Sequence, residues 1–158
     1  MASELKSLLS ALVDADVELV VVGGLAAVAQ GAPVTTFDVD IVHHRTPENV
    51  ARLVRALTAL DARYRGHTAV LRPTAEILSG PGHSLLMTAL GPLDVLGAIE
   101  GGLGYPALLP DTVVARIGGA EVRLLGLAKL VELKRASSRP KDQQMLPVLE
   151  ATLRERDG

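Results

Sequence analysis

One short segment limits the folds open to this chain more than any other, because its side chains alternate in character. Residues 37–42 have the sequence FDVDIV. Successive side chains of a β-strand point to opposite faces of a sheet, so in a strand Val39 and Ile41 would face an apolar core. Asp38 and Asp40 would then lie side by side on the other face. The segment therefore predicts a sheet that is packed on one face and carries paired carboxylates on the other.

The remaining periodicity predicts helices and strands in mixed order. Helical signals cover residues 4–13, 25–30, 46–60, 74–78, 127–136 and a segment from about 142 onward. Strand signals cover residues 18–22, 37–42, 68–71, 84–90, 93–96, 112–117 and 121–125. Because these elements alternate without a strict βαβ period, the predicted fold class is α/β (α+β), a mixed β-sheet with packed helices.

Glycine and proline mark the expected breaks. Hairpin turns are predicted at residues 91–92 and 118–119, where Gly-Pro and Gly-Gly separate strand-like runs. A Gly/Pro-rich loop is predicted over residues 97–110. Pro147 should kink or restart the last helix, since proline donates no backbone hydrogen bond.

Composition excludes several classes of protein. The chain has 158 residues, of which 48% are hydrophobic, which is enough for one domain with its own core. Cysteine is absent, so disulfides, thiolate nucleophiles and cysteine-ligated metals are excluded. Two tyrosines and one phenylalanine are too few for a platform that stacks nucleic-acid bases. The longest apolar run, residues 19–29, is too short to cross a bilayer, so we expect no membrane association. The absence of cysteine and of a signal-peptide pattern predicts a cytoplasmic location.

The paired acids gain meaning from a third one. Two ionised carboxylates at this spacing repel each other, so such a pair persists either in open water or around a bound cation. Mg²⁺ prefers oxygen ligands and leaves positions for phosphate oxygens. Asp94 lies in a second strand-like segment and joins the pair if the two strands are neighbours. Three carboxylates suit two divalent cations about 3.5–4 Å apart; a solvated strand edge is the alternative for an isolated pair of acids.

A glycine pair precedes the acids in the sequence. Gly23 and Gly24 follow a buried strand signal and are separated from Asp38 by thirteen residues. Glycine lets the backbone approach a ligand closely, and N–H groups that open a helix attract phosphate. A tight strand-to-helix turn is the alternative interpretation. The third glycine of the dinucleotide-binding G-x-G-x-x-G motif is missing, which excludes that fingerprint here.

Basic side chains gather toward the C-terminus, at Lys129, Lys134, Arg135, Arg139 and Lys141. Such a cluster is either a solvated helix face or a surface for anions. Charge-assisted hydrogen bonds from it would offset the charge of a triphosphate. Arg135 is expected to point away from Lys134, because adjacent residues of a helix diverge by about 100°.

Together these motifs resemble the nucleotidyltransferase superfamily related to DNA polymerase β. The family pattern is a hydrophobic residue followed by Gly and then Gly or Ser, an interval, and acid–hydrophobic–acid, which residues 22–24 and 38–41 match. The sequence GAPVTTFDVD at residues 31–40 is similar to small bacterial members grouped with AbiE-type abortive-infection toxins. The spacing of Lys134 from the RPKD sequence at residues 139–142 is similar to theirs as well.

The resemblance implies a nucleotidyltransferase fold, Mg²⁺ or Mn²⁺ as cofactor, and transfer of a nucleoside monophosphate from an NTP to a hydroxyl with release of pyrophosphate. Asp38, Asp40 and Asp94 would bind the metal and be catalytic, with Asp94 also acting as a base. The residues implied to bind the nucleotide are Gly23, Gly24, Thr36, Lys134, Arg139 and Lys141. We expect one domain over residues 1–158, with a catalytic core over about 1–125 and C-terminal helices over about 126–158 that complete the cleft.

The acceptor and the partners stay open at this point. The acceptor hydroxyl would belong to RNA such as a tRNA end, to a protein, or to a small molecule such as an antibiotic. A toxin of a toxin–antitoxin pair would have an antitoxin as partner, and a homodimer would complete a cleft that this short chain leaves open. Val34 replaces an arginine of many relatives, and Met145 replaces the second acid of a D-x-x-D motif that begins at Asp142. These departures support a non-catalytic nucleotide-binding module as the alternative function.

The histidines and one tyrosine receive weaker predictions. No two histidines have the H-x-x-x-H spacing of a metal site, so His43, His44 and His67 are predicted to lie at the surface or behind the site. His83 precedes the strand of the third acid, and lining the cleft is one of its two interpretations. Tyr105 is predicted either to cover a base or an acceptor, or to belong to a plain connecting loop.

Overall fold

The structure is a computed structural model that describes residues 3–157. Its strands are β1 Leu19–Val22, β2 Val39–His43, β3 Arg63–Tyr64, β4 His83–Thr88, β5 Gly91–Leu96, β6 Thr112–Ile117 and β7 Ala120–Leu125. Its helices are α1 Ser3–Asp14, α2 Gly23–Ala29, α3 Pro47–Ala59, α4 Ala75–Leu78, α5 Tyr105–Leu108, α6 Leu127–Ala136 and α7 Pro140–Asp157. Two 3₁₀ turns lie at Glu100–Gly102 and Leu109–Asp111.

All seven strands belong to one mixed sheet, in the order β3-β4-β5-β2-β1-β7-β6. In its centre, β2 runs antiparallel to β1 and parallel to β5, while β1 runs parallel to β7. Strands β4 and β5 form one antiparallel hairpin and β6 and β7 another, while β3 pairs antiparallel with β4 at one edge of the sheet. The predicted class, a mixed sheet with packed helices, is therefore confirmed.

The core forms where the apolar patterns predicted it. All four residues of β1 are buried, as expected for a β-branched strand in the middle of a sheet. Helix α1 contributes the fully buried side chains Leu8, Leu9 and Leu12, and it contacts β2, β5, β7 and α3. Helix α3 begins as predicted, since the side chain of Thr46 accepts a hydrogen bond from the backbone N–H of Asn49 at 3.3 Å.

Several predicted boundaries are wrong. Residues 68–71 form no strand, and the short edge strand of this region is β3, a few residues earlier. The turn between β4 and β5 consists of residues 89–90, because Gly91 and Pro92 already belong to β5 and pair with Thr88 and Met87. The hairpin turn at residues 118–119 is confirmed.

The C-terminal third differs from prediction in two further places. The expected loop over residues 97–110 contains α5, the first 3₁₀ turn and the start of the second, because a buried Tyr105 and Leu108 anchor this segment to the core. Helix α7 begins at Pro140 rather than near Asp142 and continues through Pro147 as one element. Pro140 suits this start, because proline is well tolerated in the first turn of a helix, where its missing N–H would have no partner. Among residues 3–157, no helix combines the length and apolarity needed to cross a membrane.

A buried glutamine joins the elements that carry the glycine pair and the basic cluster. Gln30 is 5% exposed, and its side-chain amide donates to the carbonyls of Ala26 at 3.0 Å and Leu125 at 2.9 Å. Its Oε1 accepts from the N–H of Leu127, the first residue of α6, at 2.9 Å. Gly126 has no side chain with which to cap that helix, so Gln30 caps it from across the fold.

We predict that Gln30→Met, which keeps the length of the side chain, lowers the free energy of unfolding by about 1–3 kcal/mol, because it leaves a buried donor and acceptor unpaired. Urea denaturation followed by circular dichroism measures the loss. Gln144→Met on the exposed face of α7 is the matched control and should change little. Equal stability of the two variants would contradict the role assigned to Gln30.

Candidate functional site

The register of β2 and β5 brings two predicted acids together. Asp40 lies directly opposite Asp94 in this parallel pair. Residues in register on neighbouring strands project from the same face of a sheet, so the two carboxylates stand next to each other. Val39 and Ile41, on the other face of β2, are completely buried. As the alternation in the sequence predicted, one face of this strand therefore packs into the core and the other carries a carboxylate.

Asp38 reaches the same place from a loop. It lies one residue before β2, so the predicted strand over residues 37–42 begins two residues too early, and Phe37 is 75% exposed. Asp38 nevertheless lines the same cavity as Asp40 and Asp94. Three carboxylates therefore share one cavity, two from paired strands and one from the segment that leads into the sheet.

Asp40 is the electrostatically strained member of this group. Its Oδ1 is buried and has no hydrogen-bond partner among the described residues. Burial, followed by the charge of Asp94 and a hydrogen bond shared with it and then the charge of Asp38, raises the pKa of Asp40 to about 7, and the nearby Arg65 partly opposes this. A proton or another cation at this carboxylate relieves the repulsion.

The glycine pair packs against these acids. Gly23 has a φ of +67°, and a Cβ there would collide with Oδ2 of Asp40. A Cβ at Gly24 would lie 3.0 Å from the hydroxyl oxygen of Thr36, which itself donates to the carbonyl of Asp38 at 3.3 Å. Glycine is therefore needed at position 23 both for its backbone conformation and for the close approach of Asp40.

A buried acid organises the basic side chains. Asp142 is 4% exposed and accepts hydrogen bonds from Lys134 Nζ at 2.7 Å, Ser137 Oγ at 2.6 Å and Arg139 Nε at 2.9 Å. Burial would raise the pKa of Asp142, but the hydrogen bonds from Lys134 and Ser137 and the two positive charges lower it to about 2. Asp142 was not among the predicted site residues, although the RPKD sequence contained it. The basic cluster is thus held in place by a counter-ion, while Arg135 pairs with Glu150 at 2.6 Å outside it.

Two cavities meet at the acids. The first, of about 390 Å³, borders α2 and the loop that precedes β2, and we name it the α2-side cavity. All nine predicted site residues line it: Gly23, Gly24, Thr36, Asp38, Asp40, Asp94, Lys134, Arg139 and Lys141. Val34 and Met145, the two departures from the family pattern, line it as well. The structure therefore brings the predicted residues to one place, while their individual roles stay predictions.

The second cavity, of about 540 Å³, borders β4, β5 and the turn after β5, and we name it the β5-side cavity. Its walls are largely apolar, with side chains such as Leu85, Leu96, Ile99 and Leu133. The residues that it shares with the α2-side cavity are Gly23, Asp40, Asp94, Leu130, Lys134 and Arg139. The acids and the basic pair therefore form the boundary between two spaces.

Two charged residues that contact side chains of this boundary escaped the sequence analysis. Arg65 donates from Nη2 to Asp94 Oδ1 and from Nη1 to the carbonyl of Leu86, both at 2.8 Å, and so holds the third acid in place. Glu100 accepts from Arg139 Nη2 at 2.7 Å and lines the β5-side cavity. Arg65 follows β3 in a stretch without clear periodicity, and nothing in the sequence pairs it with a residue 29 positions later.

The predictions for His43 and Tyr105 need correction, whereas His67 is exposed and His44 is half-buried, in agreement with the surface prediction. His43 is 1% exposed, its Nε2 lies 2.6 Å from the carbonyl oxygen of Leu78, and burial lowers its pKa, so it is a core residue rather than a surface one. Tyr105 is 8% exposed and stacks on His44 with ring centroids 4.6 Å apart, so it covers neither cavity. His83 lines the β5-side cavity.

The acids fit a hard divalent cation by their chemistry. Among residues 3–157, no group of three or more acidic or histidine side chains is spaced as a ready-formed metal site. Yet Asp40 holds a buried oxygen without a partner, and Asp38 and Asp94 supply further carboxylates in the same cavity. Oxygen donors of this kind suit Mg²⁺ or Mn²⁺, and a cation there would offset the repulsion that raises the pKa of Asp40.

Comparison with solved structures identifies the fold. No protein-family model and no curated protein sequence matches the chain. The lincosamide antibiotic adenylyltransferase LnuA, in its lincomycin-bound crystal structure, matches with a TM-score of 0.63 and 15% identity over 96% of this chain and 98% of LnuA. The antibiotic-resistance factor ANT(2'')-Ia matches with a TM-score of 0.60 and 16% identity over 97% and 86% of the two chains.

A third solved structure, of the nucleotidyltransferase candidate TM1012 from Thermotoga maritima, matches with a TM-score of 0.55 and 18% identity over 96% and 91% of the two chains. At these identities the likeness establishes the fold. The chain therefore has the fold of these nucleotidyltransferases, as the sequence resemblance implied.

We predict that Asp40→Asn stabilises the metal-free protein at pH 8 by about 4 kcal/mol, because it removes a buried and repelled charge whose pKa folding raises to about 7. The pKa of Asp40 is raised from 3.8 to about 7 on folding, so the wild-type protein should lose stability as the pH rises through this range. Thermal denaturation in the presence of EDTA, at several pH values from 3.8 up to 8, measures both effects. Glu121→Gln, which removes one exposed charge from β7, is the control, and an Asp40→Asn variant no more stable than it would contradict this account.

We predict that Asp142→Asn lowers the free energy of unfolding at pH 7 by about 2 kcal/mol. The pKa of Asp142 falls from 3.8 to about 2 on folding, so this contribution is present above about pH 4 and is lost as the pH falls toward 2. The difference between wild type and variant should therefore shrink over that interval in urea denaturation at several pH values. Asp111→Asn, at an exposed acid outside both cavities, is the control.

Proposed function

We propose that this protein is a nucleotidyltransferase that moves a nucleoside monophosphate from an NTP to a hydroxyl of an acceptor and releases pyrophosphate. The observation that carries the proposal is the lining of the α2-side cavity. It combines three carboxylates with Lys134 and Arg139, which the buried carboxylate of Asp142 holds in place. Phosphoryl-type transfer needs positioning and charge neutralisation rather than a protein nucleophile. A chain without cysteine and with this arrangement meets that need.

Asp38, Asp40 and Asp94 would hold a divalent cation, Mg²⁺ or Mn²⁺. When bound, the cation neutralises charge on the triphosphate oxygens and on the acids themselves. Oδ1 of Asp40 is the strongest support for this assignment, because a buried carboxylate oxygen without a partner is costly unless something binds it.

Lys134, Arg139 and Lys141 would bind the triphosphate. Asp142 holds the first two in position before the nucleotide arrives, so little reorganisation is needed when phosphate binds. Backbone at Gly23 and Gly24, together with Thr36, would contact the nucleotide on the side of α2. Residues 22–24 and 38–41 resemble the family pattern, which supports this placement of the nucleotide.

In the proposed transfer step, one P–O bond forms, another breaks, and a carboxylate of this chain accepts the proton. The acceptor oxygen forms a bond to the α-phosphorus, the bond from that phosphorus to the pyrophosphate oxygen breaks, and pyrophosphate leaves. The proton of the acceptor hydroxyl passes to the carboxylate of Asp94, which Arg65 holds in a fixed orientation at 2.8 Å.

Two similarities of this chain bear on the acceptor, and they favour different classes. The similarity of residues 31–40 and 139–142 to AbiE-type toxins favours an RNA or protein acceptor and an antitoxin partner. The likeness to a lincosamide antibiotic adenylyltransferase and to an antibiotic-resistance factor favours a small-molecule acceptor. We further propose that residues 1–158 act as one domain in the cytoplasm, with a second copy of the chain as a candidate to complete the cleft.

We predict that Asp38→Asn and Asp94→Asn each lower pyrophosphate release by a factor of about 10² or more, since each removes a charge that the transition state requires. The assay follows pyrophosphate from each of the four NTPs with Mg²⁺ and a total cell extract as the source of acceptors. Asp111→Asn should retain wild-type activity.

Full activity in both acid variants would refute the site. Nucleotide binding by calorimetry without release of pyrophosphate from any NTP would favour the non-catalytic nucleotide-binding module instead.

A further inference from the structure

The β5-side cavity carries an inference about the acceptor, and this inference rests on the proposed function. We propose that this cavity binds the acceptor as a small molecule with an apolar body, a hydroxyl and an ammonium group, and that Glu100 receives the ammonium after the triphosphate has taken Arg139 from it. The proposal thus assigns a substrate class to the cavity and a specificity-determining role to Glu100.

Size and position support a small ligand. The cavity measures about 540 Å³, within the range of sites that enclose small molecules. Asp40 and Asp94 line it as well as the α2-side cavity, so they form part of the boundary between the two. An acceptor in one cavity and a nucleotide in the other would therefore meet at these carboxylates, with the acceptor hydroxyl beside Asp94.

The lining favours an apolar body over a nucleic acid. Leu85 is 45% exposed at this cavity, beside Leu96 and Ile99, and covering such side chains releases water from apolar surface. A polynucleotide needs several basic side chains along its phosphates. Apart from His83, the basic side chains lining this cavity are Lys134 and Arg139, which the nucleotide would already occupy.

Glu100 supplies the charge that selects the ligand. It pairs with Arg139 at 2.7 Å, and their side chains are 45% and 65% exposed, so the pair is weak. Phosphate oxygens are stronger partners for a guanidinium and would compete for it. The residues after Glu100 are Gly101 and Gly102, both with positive φ and open space around them, so the turn leaves room for the carboxylate to move.

Release of Glu100 changes the charge of the cavity. With a cation on Asp40 and Asp94 and phosphate on Lys134 and Arg139, Glu100 is the lining charge left without a partner. A carboxylate in a partly enclosed apolar site favours a ligand that brings a positive charge. Nucleotide binding would therefore precede acceptor binding, with Glu100 linking the two.

The first experiment measures nucleotide binding alone. Calorimetric titration with each Mn²⁺-NTP compares wild type, Glu100→Gln and Glu121→Gln, which removes an equal charge outside both cavities. Removing the internal competitor should tighten binding by about two- to fivefold in Glu100→Gln, while Glu121→Gln stays at the wild-type value. Unchanged affinity in Glu100→Gln would overturn the competition for Arg139.

The second experiment identifies the acceptor class. NTPs labelled in the nucleoside are incubated with Mg²⁺ and three separate fractions of a bacterial extract: total RNA, protein, and low-molecular-weight metabolites, the class of ligand that a cavity of this size binds. Label should enter the metabolite fraction, in a product that carries an amine. Both Leu85→Trp, which fills the cavity, and Glu100→Gln should lower this transfer at least tenfold, although Glu100→Gln binds nucleotide more tightly. Val114→Trp, on the exposed face of β6, should transfer normally.

The outcomes separate the two proposals. Label only in RNA or protein, a labelled metabolite without an amine, or full transfer by Leu85→Trp and Glu100→Gln would overturn the assignment of the β5-side cavity while the transferase function stands. Absence of label from all three fractions would refute the transferase function itself, and the acceptor assignment with it.

Discussion

The parallel register of β2 with β5 is the constraint on which the rest of the site depends. It places Asp40 directly beside Asp94, and Asp40 is largely buried. Like charges on neighbouring buried groups raise the free energy of the folded state. The fold accommodates this pair by omitting a side chain at Gly23 and by placing Arg65 on Asp94. A site that is unfavourable when empty favours the arrival of a cation.

The positive charges of the cleft are likewise held by a residue of opposite charge. Lys134 and Arg139 would repel each other, but Asp142, almost fully buried, holds both through short hydrogen bonds. Each set of like charges therefore has its own counter-ion, Arg65 for the acids and Asp142 for the cations. Charges fixed in this way are positioned before a ligand binds, so ligand binding does not have to order them.

Local patterns predicted more of the fold than of the contacts within the site. Helix α6 and the strands of the second hairpin follow directly from periodicity and glycine turns, and the acid strand follows from alternation. The prediction failed where long-range packing decides the outcome. His43 is polar and is followed by a second histidine, a pattern typical of the surface, yet its position in a central strand buries it. Tyr105 looked like part of an open loop, yet stacking on His44 holds it in the core.

The sequence by itself determined which residues are chemically suited to the site, since alternation, glycine spacing and a run of basic side chains are local properties of the chain. Only the tertiary structure decided which of them meet. Register between strands far apart in sequence brought Asp40 to Asp94. Side chains from distant parts of the chain added Arg65 to Asp94 and Glu100 to Arg139. Such contacts depend on how whole elements pack, and no local pattern encodes a partner tens of residues away.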